Sequence, residues 1–506
     1  MKKTLAMFLF FFSIYLLTAQ GSIQTSDGMS MFLLTQSIAE NGRLSVDAGR
    51  TDIVAKGRGD RYYSKYGVGQ PMLAVPLYWI GTACAKASGI PKKFFTLFMV
   101  SLFNPLVSAL VCFVLFLCAL EMGFTLNISL FLVFAYGIST TAWHYSQDFM
   151  SEPLTTLFLL GALYCVLRVP PGSHRNYFYS GCAAGCAFLV RPASLVAIPC
   201  YFIYIIVKER GEERKGQLFK GVSFFLSGFI PFFLMYFLYN FLRFGSIFEA
   251  GYGHGFTTPL WVGVVGHLFT PGKSIFLYNP ILIIAVIGFY EFIKVKPYEA
   301  LLVALVFLAH LLLYSKWEVW MGGMCWGSRF LMVTFPYLVL SSGFLLSKRG
   351  RMWWKISLVL VGIGFLVQLP ALIVNVSRYH YTLRVAHGDQ MMNRLIYAPK
   401  DSPLVGQWRE VIKVVGNLKN PHYLRELASL AKNQKMFIGK GDEEVLNCGL
   451  ALNVPNFWWF YLYLFGFPIW IIFAILFLLL SGISLLGYKL YGLCRIDVVS
   501  GTCEAE

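Results

Sequence analysis

Residues 177–207 read YFYSGCAAGCAFLVRPASLVAIPCYFIYIIV, an apolar run interrupted by Arg191-Pro192. As one helix this stretch would bury an arginine in mid-membrane and carry a proline that removes a backbone donor and clashes with the preceding turn. As two helices, 177–190 and 193–207, it brings Arg191 to a membrane face and adds a crossing. The second reading is the cheaper one, and it fixes the side on which every earlier loop lies.

The chain around this stretch is equally apolar. Of 506 residues, 57% are hydrophobic, 17% aromatic and 13% charged, well outside the range of soluble domains. Apolar runs of near-spanning length recur at 94–120, 126–143, 153–167, 222–242, 274–292, 300–314, 330–346, 356–374 and 457–486. A further run, Leu5 to Leu17, follows Lys2-Lys3 and is read as a span rather than a signal peptide, because Ala19-Gln20-Gly21 is a poor cleavage site. The expectation is an all-α polytopic membrane protein of about twelve transmembrane helices. The net charge of +17 sits mostly in short Lys/Arg clusters between apolar runs, a topological pattern, so no nucleic-acid partner is expected.

Charge parity orients the draft. The clusters Lys208 to Lys215, Lys294 with Lys296, and Lys348 to Lys355 belong on the cytoplasmic side. Counting back places Arg191, the pair Asp148 and Glu152, and Asp27 together on the outer side. This holds only if the Pro- and Gly-interrupted segment Pro71 to Ile90 lies in the outer interface and does not cross. A cell inner (plasma) membrane location follows, with the functional face toward the periplasm or outside. The division expected is a transmembrane catalytic module at 1–376 with its first outer loop at 20–93, an extracytoplasmic soluble segment at 377–455, and a last helix and tail at 456–506.

The eleven cysteines show no zinc spacing, and most lie within apolar runs. Cys325 and Cys448 both fall outside, which permits a disulfide between them. The soluble segment carries eleven Lys/Arg against seven Asp/Glu, with amphipathic stretches at 408–418 and 423–431. It reads equally as a lid with a solvated basic face or as a dock for lipid headgroups or a glycan.

The outer side thus collects Asp27, Lys65, Asp148, Glu152, Arg191, Lys273 and Arg329. It also holds the Gly-rich aromatic loop with His254 and the loop Lys316 to Arg329 with Trp326. Three tryptophans in the latter suit an interfacial belt, while its double glycine and arginine suit a ligand-facing loop. Carboxylates and cations beside a bilayer fit a substrate with a phosphate head and a lipid tail. In sugar transfer from a lipid phosphate, cations stabilise the leaving group as it gains charge, and a carboxylate takes the acceptor proton. Asp27 is the candidate base; it is equally the N-cap of the helix that follows.

Ser26-Asp27-Gly28 after a first span, Arg61-Tyr62-Tyr63-Ser64-Lys65-Tyr66-Gly67 before Pro71 and Pro76, and Gln147-Asp148-Phe149-Met150-Ser151-Glu152-Pro153 together resemble the GT-C glycosyltransferases. The loops 270–280 and 322–330 are similar to stretches of bacterial members. The nearest branch resembles bacterial protein mannosyltransferase and aminoarabinose transferase relatives. The resemblance implies a GT-C-like bundle with interfacial helices in the first outer loop, and an inverting transferase using a polyprenyl-phosphate sugar and a glycan, lipid or protein acceptor. It implies Asp27 as base, Asp148 or Glu152 as the assisting acid, and Lys65 at the lipid phosphate. Arg61, Tyr66, Arg191, His254, Lys273, Trp326 and Arg329 complete the expected substrate site.

The usual second acid before Asp27 is a serine here, so no cofactor is required. A divalent cation on Asp27, Asp148 and Glu152 is the lesser alternative. The lysine also lacks the family's Lys-Pro-Pro, which leaves Arg61 and Arg191 as alternative phosphate ligands. The competing function is a transporter or flippase of a lipid-linked glycan, whose charges would sit near mid-span.

Overall fold

The computed structural model describes residues 2–47, 53–89, 91–170, 173–210, 215–433 and 441–502. Ile90, the middle of the Lys208 to Lys215 cluster and part of the soluble segment (434–440) lie outside them. Helices α1 (Lys2–Thr18) and α2 (Ser26–Asn41) open the chain. Strands β1 (Ser45–Val46), β2 (Ala55–Lys56) and β3 (Tyr62–Tyr63) follow. They form an antiparallel sheet of order β1-β3-β2, with Val46 and Lys56 both opposite Tyr62, a small departure from the all-helical expectation.

Next come α3 (Gly69–Ser88), α4 (Lys92–Ser101), α5 (Phe103–Glu121), α6 (Leu126–Ser139), α7 (Ala142–Tyr145) and α8 (Ser151–Leu167). Then α9 (Arg175–Val190), α10 (Ala197–Lys208), α11 (Lys215–Phe244), α12 (Leu260–Phe269), α13 (Ile275–Tyr278), α14 (Ile281–Val295) and α15 (Pro297–Lys316) follow. Two long helices, α16 (Phe335–Lys348) and α17 (Arg351–Ile373), complete the bundle. The soluble segment contributes α18 (Val376–His387), α19 (Met391–Tyr397), α20 (Pro403–Asn417), α21 (Pro421–Lys432) and α22 (Asp442–Cys448), and the chain ends in α23 (Trp458–Leu464) and α24 (Ile469–Thr502).

Six helical stretches among the described residues are long and apolar enough to cross a membrane: Lys92–Glu121, Leu218–Phe244, Pro297–Lys316, Arg329–Lys348, Arg351–Ile373 and Ile469–Gly492. Shorter apolar helices at Thr4–Thr18, Leu126–Ser139, Ser151–Leu167 and Pro192–Lys208 pack among them. Helix α3, expected at the interface, is not among the six, and its Met72, Leu73, Trp79 and Ile80 are exposed.

The deciding stretch breaks where the sequence says it should. Helix α9 ends at Val190, Arg191 is extended (φ −146°, ψ 108°), and Pro192 opens a single 3₁₀ turn before α10. The helix that ends there packs closely on α11. A Cβ on Gly181 would lie 2.0 Å from the Phe225 carbonyl oxygen, and one on Gly228 would lie 2.2 Å from that of Phe178. Small residues therefore let α9 and α11 approach backbone to backbone, the usual device where helices have no hydrophobic drive to associate.

Two expected spans are interrupted. The run 457–486 splits into α23 and α24 because Gly466 takes φ 83° and Pro468 stands just before the next helix. The run 274–292 breaks at Asn279-Pro280, between α13 and α14. Cys325 and Cys448 are both free thiols, so the disulfide does not form; Cys325 is buried and spends its sulfur on Lys273. The soluble segment is pinned at both ends. Val374 bridges Pro455, the Asn456 N–H donates to the Ile373 carbonyl at 2.7 Å, and the Trp458 N–H donates to that of Ala19 at 2.9 Å. Within it, Arg378 donates to buried Glu410 at 2.7 Å.

Candidate functional site

Asp27 lies in the first turn of α2 and does not cap it. Thr25 is the N-cap, its hydroxyl accepting from the Gly28 N–H at 3.2 Å, which frees the Asp27 carboxylate. One oxygen, Oδ2, is 2.9 Å from the Arg329 guanidinium, and Oδ1 receives the Ser26 hydroxyl at 3.3 Å. Burial pushes the Asp27 carboxyl up, but Arg329, a hydrogen bond from Tyr66 and the charge of Arg191 outweigh it and hold the group below its ordinary range. Burial and the facing carboxylate push the Tyr66 phenol well up, so it remains a neutral donor.

Arg329 begins a 3₁₀ turn leading into α16, and its guanidinium serves three partners. Besides Asp27, Nη1 lies 3.2 Å from Met150 Sδ and Nε lies 3.8 Å from Glu152. Glu152, buried in the first turn of α8, is held mainly by Arg191 at 2.8 Å. Arg191 also donates to Ser151 Oγ at 3.1 Å and to Tyr314 OH at 2.7 Å, with its guanidinium 5.0 Å from the Phe330 ring centroid. Burial works against the Arg191 charge, but Glu152 and Tyr314 more than offset it. Two carboxylates and two guanidiniums therefore form one alternating, partly buried and nearly neutral chain, with each charge paired as a low-dielectric site demands.

Asp148 completes the acidic set and has no cationic partner among the described residues. Its carboxylate accepts from the Phe149 N–H at 2.7 Å, and burial lifts it to about 6 against hydrogen bonds from the Thr25 hydroxyl and the backbone, with the charge of Asp27 adding to the rise. It borders a recess of about 480 Å³, counting the solvent-filled mouth, between the first outer loop and the start of the soluble segment. Among the described residues no three His, Cys, Asp or Glu side chains converge as a metal-ligand set.

The other expected residues divide. Lys65 is half-buried and Arg61 exposed, and neither has a carboxylate partner among the described residues. His254 is paired with Glu318 at 3.4 Å in an exposed loop and makes no ion pair with Asp27, Asp148 or Glu152 among the described residues. Lys273 is fully buried; its ammonium donates to the carbonyls of Cys325 at 2.9 Å and Gly323 at 3.3 Å, which places it under the 322–329 loop as a brace. Burial, partly offset by Cys325, pulls its pKa down. Trp326 is a core residue, packed on Tyr278, with its indole N–H donating to Gln368 at 3.1 Å.

The sequence reading missed the carboxamides that join the first loop to the soluble segment. Gln24 donates to Asn456 at 3.2 Å and to Tyr461 OH at 3.1 Å, Asn375 donates to Gln24, and Asn456 donates to Gln20 at 2.9 Å. It also missed Tyr252, which stacks edge-on against Tyr66 with centroids 6.1 Å apart. Nothing local marks these residues, since their partners are hundreds of positions away.

The bundle and its outer elements define a polytopic helical protein with the GT-C fold. Its architecture is similar to that of ArnT from Cupriavidus metallidurans in the apo state, with 13% identity, 89% of this chain and 84% of that chain covered, and a TM-score of 0.50. The same protein bound to undecaprenyl phosphate gives 0.49 at the same identity and coverage. The oligosaccharyltransferase AglB from Archaeoglobus fulgidus, in complex with an inhibitory peptide and a dolichol-phosphate, gives 0.47 at 12% identity, over 89% of this chain and 61% of that chain. Neither a family model nor a curated protein matches the sequence. At these identities the likeness is one of fold.

Proposed function

We propose that the chain is an inverting glycosyltransferase that moves a sugar from a polyprenyl-phosphate donor to a glycan, lipid or protein acceptor on the outer face of the membrane. The observation that carries this reading is Asp27, a carboxylate freed from capping, oriented by Arg329 and Tyr66, and set beside a second carboxylate that borders a recess. With its pKa held low, Asp27 takes the acceptor proton late, as the hydroxyl acidifies while bonding to the anomeric carbon. The C–O bond to the lipid phosphate breaks on the opposite face. Lys65 receives the departing phosphate: Arg191 and Arg329 are already balanced by Glu152 and Asp27, whereas Lys65 has no carboxylate partner among the described residues. Asp148 assists from the recess side.

The test is transfer by the purified full chain from undecaprenyl-phosphate mannose, read as release of undecaprenyl phosphate. Asp27→Asn is expected to abolish release while leaving the melting temperature within a few degrees of wild type. Full release by that variant would sink the role given to Asp27. Activity retained in EDTA is expected from a site whose carboxylates are already hydrogen-bonded or ion-paired; loss that magnesium or manganese restores would assign Asp27, Asp148 and Glu152 to a cation instead.

A further inference from the structure

Arg243 is the last cation of α11, a helix apolar enough to cross the membrane, and it is 1% exposed. An arginine at the end of a span ordinarily snorkels, laying its stem along the helix and its head in water. This one turns inward. Its guanidinium donates from Nη1 to the Ser64 carbonyl, from Nη2 to Asn240 Oδ1 at 2.6 Å and from Nε to the Tyr239 carbonyl at 3.4 Å. It also lies 3.7 Å from the centroid of the Tyr239 ring and 4.7 Å from that of Phe244. All three acceptors are neutral, and Arg243 makes no ion pair among the described residues. A cation in the last turn complements the helix dipole, but an exposed one would do that as well. A buried charge without a carboxylate at the end of a span is costly, and it points to a function.

What Arg243 holds is the backbone around Lys65. It takes the carbonyl of Ser64, the residue before the lysine, and the Tyr239 hydroxyl, one turn back on α11, donates to the carbonyl of Tyr66, the residue after it, at 3.2 Å. The two peptide groups that flank Lys65 are thus fastened to a single turn of α11. The same loop meets Arg243 at its other end, where a Cβ on Gly57 would stand 2.4 Å from the Arg243 carbonyl oxygen. Ser64 is itself buried, and its hydroxyl lies 3.0 Å from that of Ser30, one turn beyond Asp27 on α2. Ser64 therefore stands between the helix that carries Asp27 and the helix that carries Arg243.

We propose that Arg243, seconded by Tyr239, is a positioning residue: it fixes the Ser64–Tyr66 backbone so that the Lys65 ammonium is presented at a set distance from Asp27. The proposal rests on the glycosyl-transfer reading, in which Lys65 meets the lipid phosphate, and adds the residues outside the site on which that contact depends. Arg243 acts through Lys65 and, being enclosed, does not itself touch the phosphate.

The experiment titrates the purified full chain in detergent with undecaprenyl phosphate. The proteins compared are wild type, Lys65→Ala, Arg243→Met, Tyr239→Phe, and each of the last two combined with Lys65→Ala. Misplacing one charged contact is expected to weaken binding about tenfold in Arg243→Met and severalfold in Tyr239→Phe. Tyr239→Phe keeps the ring against the guanidinium and removes only the hydroxyl, so it decides the matter even where Arg243→Met fails to fold. With Lys65 already removed, neither substitution is expected to weaken binding further, because a residue that acts through Lys65 has no effect once that side chain is gone. A residue that supports folding as such, or that attracts the phosphate directly, would lower affinity by the same factor in both backgrounds.

The proposal is overturned by equal losses with and without Lys65, or by wild-type affinity in both Arg243→Met and Tyr239→Phe. Undiminished affinity in Lys65→Ala overturns it as well, and moves the phosphate away from Lys65 while the role of Asp27 stands. Failure of the wild-type chain to bind undecaprenyl phosphate at all overturns the glycosyl-transfer reading itself.

Discussion

Arg329 holds Asp27 at 2.9 Å while its Nε stands 3.8 Å from Glu152, so one guanidinium on the turn before α16 spans carboxylates from α2 and α8. The planar fork is what makes this geometry available, and a lysine ammonium cannot reproduce it. Arg329→Lys is expected to lower transfer roughly 100-fold through misplacement of Asp27, with the protein still folded. The same substitution should move the acid limb of the pH profile upward, because the guanidinium that holds the Asp27 carboxyl down is gone. A pH profile of kcat/KM for both proteins checks it; an unshifted limb would separate Arg329 from Asp27.

Asp148 has the opposite linkage. Its folded pKa, about 6, is raised above the ordinary aspartate value, so the folded state binds the proton more tightly than the unfolded one. Stability is then lost as pH rises from about 4 to about 6, and the full penalty, roughly 2–3 kcal/mol, is present at neutral pH. Asp148→Asn, which keeps an acceptor for the Phe149 N–H, is expected to melt at a higher temperature than wild type at pH 8 and at about the same temperature at pH 4. Its transfer activity should fall. Melting curves at the two pH values decide it, since a stabilisation independent of pH would mean that the carboxylate charge is not the cause.

Much of the fold was legible because its determinants are local. Arg191-Pro192 ends α9 by the mid-membrane cost of a charge and the missing donor of a proline, and that one reading placed Asp27, Asp148 and Glu152 on one face. His310, the lone histidine of an apolar run, is buried on its own helix, its Nδ1 2.8 Å from the Val306 carbonyl oxygen. The site was legible as a list of charges but not as pairs. That Lys273 braces the 322–329 loop, that Trp326 packs on Tyr278 and that His254 pairs with Glu318 depend on chain reversals no spacing encodes. The cap of α2 shows the limit most sharply: Thr25 and Asp27 are both good cap residues, and only the backbone decides between them.

Gly67 ties the first outer loop to the deciding stretch. A Cβ there would stand 2.2 Å from the Leu189 carbonyl oxygen and 2.5 Å from that of Val190, both backbone atoms immediately before Arg191. Neither can yield without moving Tyr66 or Arg191, and both of those side chains act on Asp27. Gly67→Ala is therefore expected to cut transfer by about 10- to 100-fold and to lower the melting temperature. Gly59→Ala, at an open position of the same loop, is the control for loop substitution as such; its positive φ (69°) predicts a small loss of stability with transfer retained. Equal losses of transfer in the two variants would remove the link between Gly67 and the site.

Lys65 carries the last prediction, because the proposed function gives the departing phosphate to it. Arg191 and Arg329 are each committed to a carboxylate, and Lys273 is buried beneath a loop. Lys65, one residue before the Tyr66 that bonds Asp27, is a half-buried cation with no carboxylate partner among the described residues. A phosphate is already charged in the donor and gains further charge as it leaves, so a cation in contact with it throughout contributes to both binding and the transition state. If the contact is uniform, Lys65→Ala raises KM for undecaprenyl-phosphate mannose about tenfold or more with kcat nearly unchanged; if it strengthens as the bond breaks, kcat falls as well. Lys65→Arg should restore most of the binding, since the demand is for charge at that place. Arg61→Ala, which removes an exposed cation from the same loop, is expected to leave KM within about twofold. Initial rates over a range of donor concentrations for the three variants measure all of this, and a larger effect at Arg61 than at Lys65 would move the phosphate to the other end of the loop.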